Sequence, residues 1–540
     1  MAKTVNYKQA KLAEQWDAIV IGSGMGGLTA AVLLGAQGGK RVLVLERHYE
    51  AGGFTHTFHR PGYEWDVGLH YIGQMQDAAS PVRRAFDHVT AGKVKWQAMP
   101  ELYDRLIFAG QRFDLHAGLE HFREGLKQAF PGEVRAIDGY IAAVMACNRA
   151  SSLYYAEKAI PAPLAALAGR LMRAPYMRWA RRTTREVLES LTANQELIGV
   201  LTAQWGDYGL PPAKSSFAIH ATVAEHYFDG GSYPVGGSGV IAEAMVRQIE
   251  ANGGCLAVSA EAGGILLDGN RAVGVRMSDG REFRASMVLS DAGASNTFDR
   301  LLPTQLPALD SLRTQLRSLP PSTAHLNLYV GLTQSDAALG LQGTNIWVYP
   351  SFDHDTNVER FTREFAQNSE TPFPGIYVAF PSAKDPDFQR RHPGKSTVEV
   401  IAMVHYAAFA GWGETRWRRR GDDYDALKQR LTGRMLAELE RQAPSAAGKI
   451  ACAELSSPVT TRHFMNYSHG EIYGIAATPG RFEMRRLGAR TPIRGLYLTG
   501  QDVASLGVVG ALFGGVISAS AALGKNLLST VIKPRTAHSS

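Results

Sequence analysis

Chemistry in this chain is first visible at Gly22-Ser23-Gly24-Met25-Gly26-Gly27, which follows the apolar run Ala18–Ile21 without a gap. Leu28–Leu34 is rich in Ala and Leu and reads as a helix; Arg41–Leu45 reads as a second strand, and it runs straight into Glu46. Strand, glycine turn, helix, strand and acid, in that order, are the context that turns a bare G-x-G-x-x-G into a dinucleotide site. Gly22 permits the tight turn, Gly24 lets the backbone approach a pyrophosphate, and Gly27 lets the helix lie close to the strand. Met25 and Gly26 complete the loop at the helix start, where exposed N–H groups and the helix dipole favour an anion. Glu46 can accept both hydroxyls of an adenosine ribose and would repel a 2′-phosphate, which argues against NADP here.

A second set of residues could move protons. Redox chemistry at carbon needs a proton alongside the electrons, so an acid or base must stand nearby. The candidates are His70, Glu225, His226, Tyr233, His469, Glu471 and Tyr473. Tyr233 and His70 rank first because each adjoins a turn expected to touch the cofactor. No Ser-His-Asp set, metal-ligand spacing or P-loop is visible, so a bound cofactor must carry the reaction.

The elements that would position these residues follow in order. Tyr63–Val67 alternates like a strand returning to the cofactor, and Asp66–Gly73 is expected to wall its pocket. Phe108–Leu115 reads as a hairpin around Gly110-Gln111, and Leu119–Phe130 and Ile137–Tyr154 read as amphipathic helices. Val240–Asn252 reads as a helix and Cys255–Ser259 as a strand. A hairpin turns at Asp268-Gly269-Asn270, and Met287–Leu289 is a strand closing on Ser290-Asp291-Ala292-Gly293. Further strands are expected at Ala324–Leu332, Gly375–Phe380 and Thr397–His405, a helix at Asp422–Arg441, and a charged surface stretch at Asp353–Glu370. Near the end a strand stops at Gly500, Asp502 follows, and Val508-Val509-Gly510-Ala511 opens a buried helix.

At 540 residues the chain is too long for one simple core, and two interleaved domains are expected. Its 45% apolar and 20% charged residues are those of a globular protein. Cys147, Cys255 and Cys452 are isolated, so no disulfide framework is implied and a reducing compartment is the default. The polar stretch Met1–Gln15 has no apolar core of a secretory signal, and no clean membrane span appears. The expected location is cytoplasmic, peripheral to the inner face of a membrane.

That membrane expectation comes from charge distribution rather than from the net +7. Arg170, Arg173, Arg178, Arg181, Arg182 and Arg185 fall within one stretch free of acids, beside Leu164, Leu167, Ala168 and Leu171 at helical spacing. With Pro163 and Pro175 expected to break it into two short helices, the stretch reads as an interfacial element. Nucleic acid is not expected, since no binding fold or aromatic platform accompanies the arginines.

Arg47 and the pair Gly52-Gly53 after the second strand resemble the FAD-binding half of the large flavoprotein group that includes amine oxidases and phytoene desaturases. The resemblance narrows at three places: the N-terminal block through His70-Tyr71-Ile72-Gly73, the stretch HYFDGGSYPVGG ending at Gly237, and Tyr473–Gly510 with its LYLTGQD. There the chain resembles retinol saturases and the related carotenoid isomerases. The resemblance implies an α/β fold: a Rossmann-type, glutathione-reductase-like FAD-binding domain (16–78, 229–300 and 483–529) interleaved with an α+β substrate domain (79–228 and 301–482). Residues 530–540 are left as a flexible tail. It implies that Ala262 meets the adenine and that Gly500 and Asp502 meet the ribityl or phosphate region. Val509, Gly510 and Ala511 would face the flavin pyrimidine edge. It implies a long hydrophobic lipid with C=C bonds, saturated, desaturated or isomerised, with an external electron donor or acceptor because no second nucleotide fingerprint is present. Fatty-acyl desaturation, flavin amine oxidation and a non-catalytic FAD protein remain the alternatives at this stage.

Overall fold

The computed structural model describes residues 4–160 and 162–533. Ala18–Ile21 lies inside a six-stranded sheet whose hydrogen-bonded order is Val5–Asn6, Cys255–Val258, Val42–Leu45, Ala18–Ile21, Met287–Ser290 and Leu496–Leu498. Every pairing in it is parallel. The inner strands are buried on both faces, which is why they read as continuous apolar runs without alternation. The strand Val5–Asn6 extends the sheet ahead of Trp16, where the sequence reading began this unit.

The helices Met25–Gly38 and Gly507–Leu523 pack on this sheet and on each other. Their contact is made by glycine: a Cβ on Gly515 would lie 2.5 Å from the Gly26 carbonyl, and one on Gly514 would strike the Gly500 carbonyl. Gly22 has φ +95°, a conformation that side chains with a Cβ rarely adopt. The closing helix Gly507–Leu523 is buried along residues 514–521 and half-buried in its first turn, in keeping with its apolar sequence. Among the described residues no helix is long and apolar enough to cross a membrane.

A second sheet has seven strands, ordered Ile450–Ser456, Ala324–Leu332, Ser396–Val404, Ile376–Ala379, Asn345–Tyr349, Leu102–Phe108 and Gln111–His116. All its pairs are antiparallel except Asn345–Tyr349 with Leu102–Phe108. Side chains alternate between its faces. Ile346, Val378, Val400 and Leu328 join Leu431 and Met435 of the helix Asp422–Gln442 in one core. Trp347, Tyr377 and Ile401, one register row apart on adjacent strands, point the other way. A helical layer that includes Val134–Ala159, Ala162–Ala180 and Phe217–Tyr227 packs beside this second face.

Four expectations need correction. The expected break at Pro175 is absent: one helix, Ala162–Ala180, runs through it and carries Arg170, Arg173 and Arg178, while Arg185 lies in the next helix, Thr184–Glu189. A proline costs one i→i−4 bond and a clash, and Pro163 sits in the first turn, where its missing N–H matters least. The helix expected at Ile137–Tyr154 extends to Val134–Ala159. Within Asp353–Glu370 the helix His354–Glu364 buries His354, Val358 and Phe361, so only one face is solvated. At the start of the expected tail Val531 is fully buried in the short helix Leu528–Val531 while Lys533 is exposed, and residues 534–540 lie outside the described residues. Cys147, Cys255 and Cys452 are all free thiols.

Candidate active site

A continuous cavity of about 720 Å³ runs from the glycine loop to the aromatic face of the second sheet. Its dinucleotide end is lined by Gly22, Gly24, Met25, Gly26, Glu46 and Arg47. Gly52, Gly53, Ala262, Asp502, Val509, Gly510 and Ala511 continue the wall. Gly27 and Gly500 stand just behind it, where their missing Cβ atoms allow the backbones to close up: a Cβ on Gly27 would strike the Gly22 carbonyl.

Glu46 is fixed before any ligand arrives. One carboxylate oxygen accepts the Ser23 N–H at 2.8 Å and the Ser23 hydroxyl at 2.7 Å; the other accepts the His48 N–H at 2.6 Å. A carboxylate has about four acceptor directions, so capacity remains for ribose hydroxyls. Asp502 is fixed likewise, accepting the N–H of Ala294 at 2.8 Å and of Ile475 at 3.2 Å. Arg47 turns its guanidinium to the carbonyls of His463 and Phe464.

One residue of this end was not foreseen. The Asp291 carboxyl sits beneath the glycine loop, where a Cβ on Gly24 would lie 2.5 Å from Oδ2. Burial pushes it up to about 8, against the pull of the Gly27 and Gly24 amides and helped by Glu46 and Asp502. Its sequence signal is the one that marked Glu46: an apolar strand running into an acid.

The other end is apolar and aromatic. Trp347, Tyr377, Ile401 and Met403 form its roof, and Tyr71, Tyr227 and Tyr473 line the side. Tyr71 and Tyr227 stack at 4.2 Å between ring centres. Asp207, from the turn Ala203–Asp207, opens onto this chamber. Neither Tyr71 nor Asp207 was singled out as a proton donor from sequence.

Of the expected proton donors, His70, Glu225, His226 and Tyr473 line the cavity. His70 Nδ1 stands 3.2 Å from the fully buried Glu399 carboxylate. His226 Nε2 accepts the Gly73 N–H at 2.8 Å, and burial lowers its pKa to about 4, so it is a neutral acceptor. Burial raises the Glu225 carboxyl above its ordinary value. Tyr473 donates to the Gly206 carbonyl at 3.2 Å. Tyr233, Glu471 and His469 do not line the cavity. The Tyr233 hydroxyl donates to Asp66, which also accepts from the Ser238 backbone and hydroxyl and which burial pushes up to about 6. Glu471 accepts the His469 N–H at 2.7 Å. Among the described residues no His, Cys, Asp and Glu cluster could hold a metal ion.

The residues present fit FAD: a glycine cradle that side chains would fill, a preset ribose acceptor, and a long cavity ending at the first turn of a helix. Residues 20–89 match the NAD(P)-binding Rossmann-like domain family. A solved structure of a putrescine oxidase double mutant superposes with a TM-score of 0.62 at 16% identity, covering 95% of this chain and 99% of that one, a likeness of fold. These define a protein with a Rossmann-type dinucleotide-binding fold.

All-trans-retinol 13,14-reductase of Danio rerio is 36% identical over 538 residues, covering 96% of this chain and 88% of the relative. Prolycopene isomerase 1, chloroplastic, of an Oncidium hybrid cultivar is 26% identical over 529 residues, covering 94% and 84%. The chain belongs to the all-trans-retinol 13,14-reductase family, within the phytoene-desaturase-like group of FAD-dependent oxidoreductases.

Proposed function

We propose that this protein reduces one carbon–carbon double bond of a retinoid-like polyene, with FAD in the cavity. The observation that carries the reading is the continuity of that cavity, from the ribose acceptor Glu46 to the roof of Trp347, Tyr377, Ile401 and Met403. When bound, FAD supplies the electron pair that such a reduction needs. The chain's own residues do the rest. The glycine loop, Glu46 and Asp502 hold the cofactor at one end. The first turn of Gly507–Leu523 sets a positive dipole end against it. The aromatic roof takes the polyene and keeps water out. With one nucleotide fingerprint in the chain, the electrons are proposed to come from a donor outside it.

The test is mass spectrometry of lipid extracts from cells with and without the protein. A polyene two hydrogens heavier supports reduction. Two hydrogens lighter would make it a desaturase, and an unchanged mass with shifted retention an isomerase.

We also propose that the protein collects its substrate at a membrane surface through the helix Ala162–Ala180. Leu167 and Leu171, one turn apart, are 84% and 79% exposed, and Arg170 and Arg178 of the same helix are exposed too. The other arginines are less free than their number suggests. Arg173 pairs with Glu157, Arg181 with Glu483, and Arg185 with Glu189, Asp353 and Asp355. The two leucines are therefore expected to carry more of the binding than Arg181 or Arg182. Leu167→Asp with Leu171→Asp should cut binding to anionic vesicles about tenfold or more, each buried side chain counting for about 1.5–3 kcal/mol. Unchanged vesicle binding would remove this helix from the account.

A further inference from the structure

We propose that Asp207 is the acid that protonates the alkene, and that Tyr71 and Asp104 hold it ready to do so. The proposal rests on the reduction reading above and assigns its proton source.

The Tyr71 hydroxyl lies 3.0 Å from Asp207 Oδ2 and 3.1 Å from Asp104 Oδ2. A phenol has one hydrogen, so it can donate to only one of them at a time. Two bare carboxylates on one phenol oxygen would leave an oxygen pair in contact with no proton between. One of the acids must carry an extra proton.

The surroundings say which. Asp104 has no exposure and is well supplied with donors: Asn345 Nδ2 reaches Oδ1 at 2.8 Å and Gln204 Nε2 reaches Oδ2 at 2.9 Å. The ammonium of Lys384 is also close by. Asp207 is offered the Tyr71 hydroxyl alone among the described residues, and it faces the cavity. Burial first, then the charge of Asp104, push Asp207 up to about 8, with Tyr71 and Lys384 pulling the other way. Two interacting acids with environments this different divide their roles, one staying ionised and one staying protonated. The other phenols that feel the Asp207 charge are Tyr103, Tyr208, Tyr227, Tyr349, Tyr377 and Tyr473; burial keeps all six neutral.

The step balances. One π bond breaks and two C–H bonds form. Bound FAD in its two-electron-reduced form would supply one carbon with a hydrogen and its electron pair. The neighbouring carbon receives the proton of Asp207, which is left as a carboxylate. The Tyr71 hydroxyl then turns from Asp104 to Asp207 and stabilises the new charge. Water restores the proton, and the external donor restores the flavin.

Asp207→Asn keeps the shape and removes the acid. In the infrared difference spectrum of wild type minus Asp207→Asn at pH 7, one protonated-carboxyl band should remain after the contribution of Asp291, common to both, cancels. That band should fade as pH rises through about 8. Turnover of all-trans-retinol should fall about a hundredfold or more in Asp207→Asn, with flavin content and KM retained. In wild type, kcat should fall above pH 8. Tyr71→Phe removes a donor that favours the carboxylate and should move that limb to higher pH; Asp104→Asn removes a repelling charge and should move it lower. A purely structural role would move neither limb. If wild type reduces the polyene yet Asp207→Asn keeps the same band and pH profile, the assignment of Asp207 is overturned alone. If wild type reduces no polyene, the reduction reading falls and the role of Asp207 with it.

Discussion

Gly26→Val should give a protein that retains no FAD and unfolds at markedly lower temperature. Gly26 is where the first and last stretches of the dinucleotide domain meet. A Cβ there would collide with the backbone N and Cα of Gly500 and would lie 2.8 Å from Asp291 Oδ1. Backbone atoms in the middle of a packed junction cannot swing aside as the end of a flexible side chain can. The closing helix Gly507–Leu523 would have to withdraw, since Gly515 rests on the Gly26 carbonyl and Gly514 on that of Gly500. That withdrawal would carry Val509, Gly510 and Ala511 out of the cavity wall. Overpacking of this kind costs about 3 kcal/mol. Flavin absorbance after gel filtration and a thermal melt read the two effects separately. Gly24→Trp should also lose the flavin but cost less stability, because the nearest obstacle is a side-chain oxygen of Asp291. A Gly26→Val protein with full yellow colour and an unchanged melt would mean that this junction does not form the cofactor site.

Lys384→Met should destabilise the fold by about 3–5 kcal/mol, the usual cost of leaving buried charge without its partner. Lys384 is nearly without exposure and donates to the His70 carbonyl at 3.0 Å and to Asn345 Oδ1. Burial lowers it to about 8, while Asp104, Glu399, Asp66 and Asp207 together pull it upward. Without the ammonium, Asp104 and Glu399 lose the buried cation that both attract. The sign of the pH effect follows. Burial already raises Asp104 above its unfolded value. A carboxyl raised on folding adds stability below its unfolded pKa of about 4 and loses it as pH climbs toward the folded value. The variant should therefore lag wild type more at pH 8 than at pH 5 in urea unfolding. A gap that stays constant across that range would mean these acids are not charged against Lys384.

The cofactor end of this protein was legible in its sequence because its signals are local. A tight turn, a close helix and an acid at a strand end leave fixed spacings, and Gly22 to Glu46 shows all of them within one strand–helix–strand unit. Tyr233 misled for the opposite reason. Neighbouring a glycine turn says nothing about where a side chain points, and in the strand Gly231–Pro234 this one turns inward to Asp66. The acid chamber had no local signature at all. Tyr71 and Asp207 lie 136 residues apart and meet only when the helical layer closes over the second sheet. The partners of the arginine stretch had no local signature either: Glu157, Glu483, Glu189, Asp353 and Asp355 all lie outside it. Counting charge along the chain overstated what the folded surface presents.

The most direct test is a single turnover. The purified flavoprotein is reduced by light in the absence of oxygen and mixed with all-trans-retinol, and flavin absorbance and product mass are followed together. The account predicts that the oxidised flavin spectrum returns as one equivalent of a retinoid two hydrogens heavier appears. A flavin that stays reduced while the retinoid's mass is unchanged would contradict it.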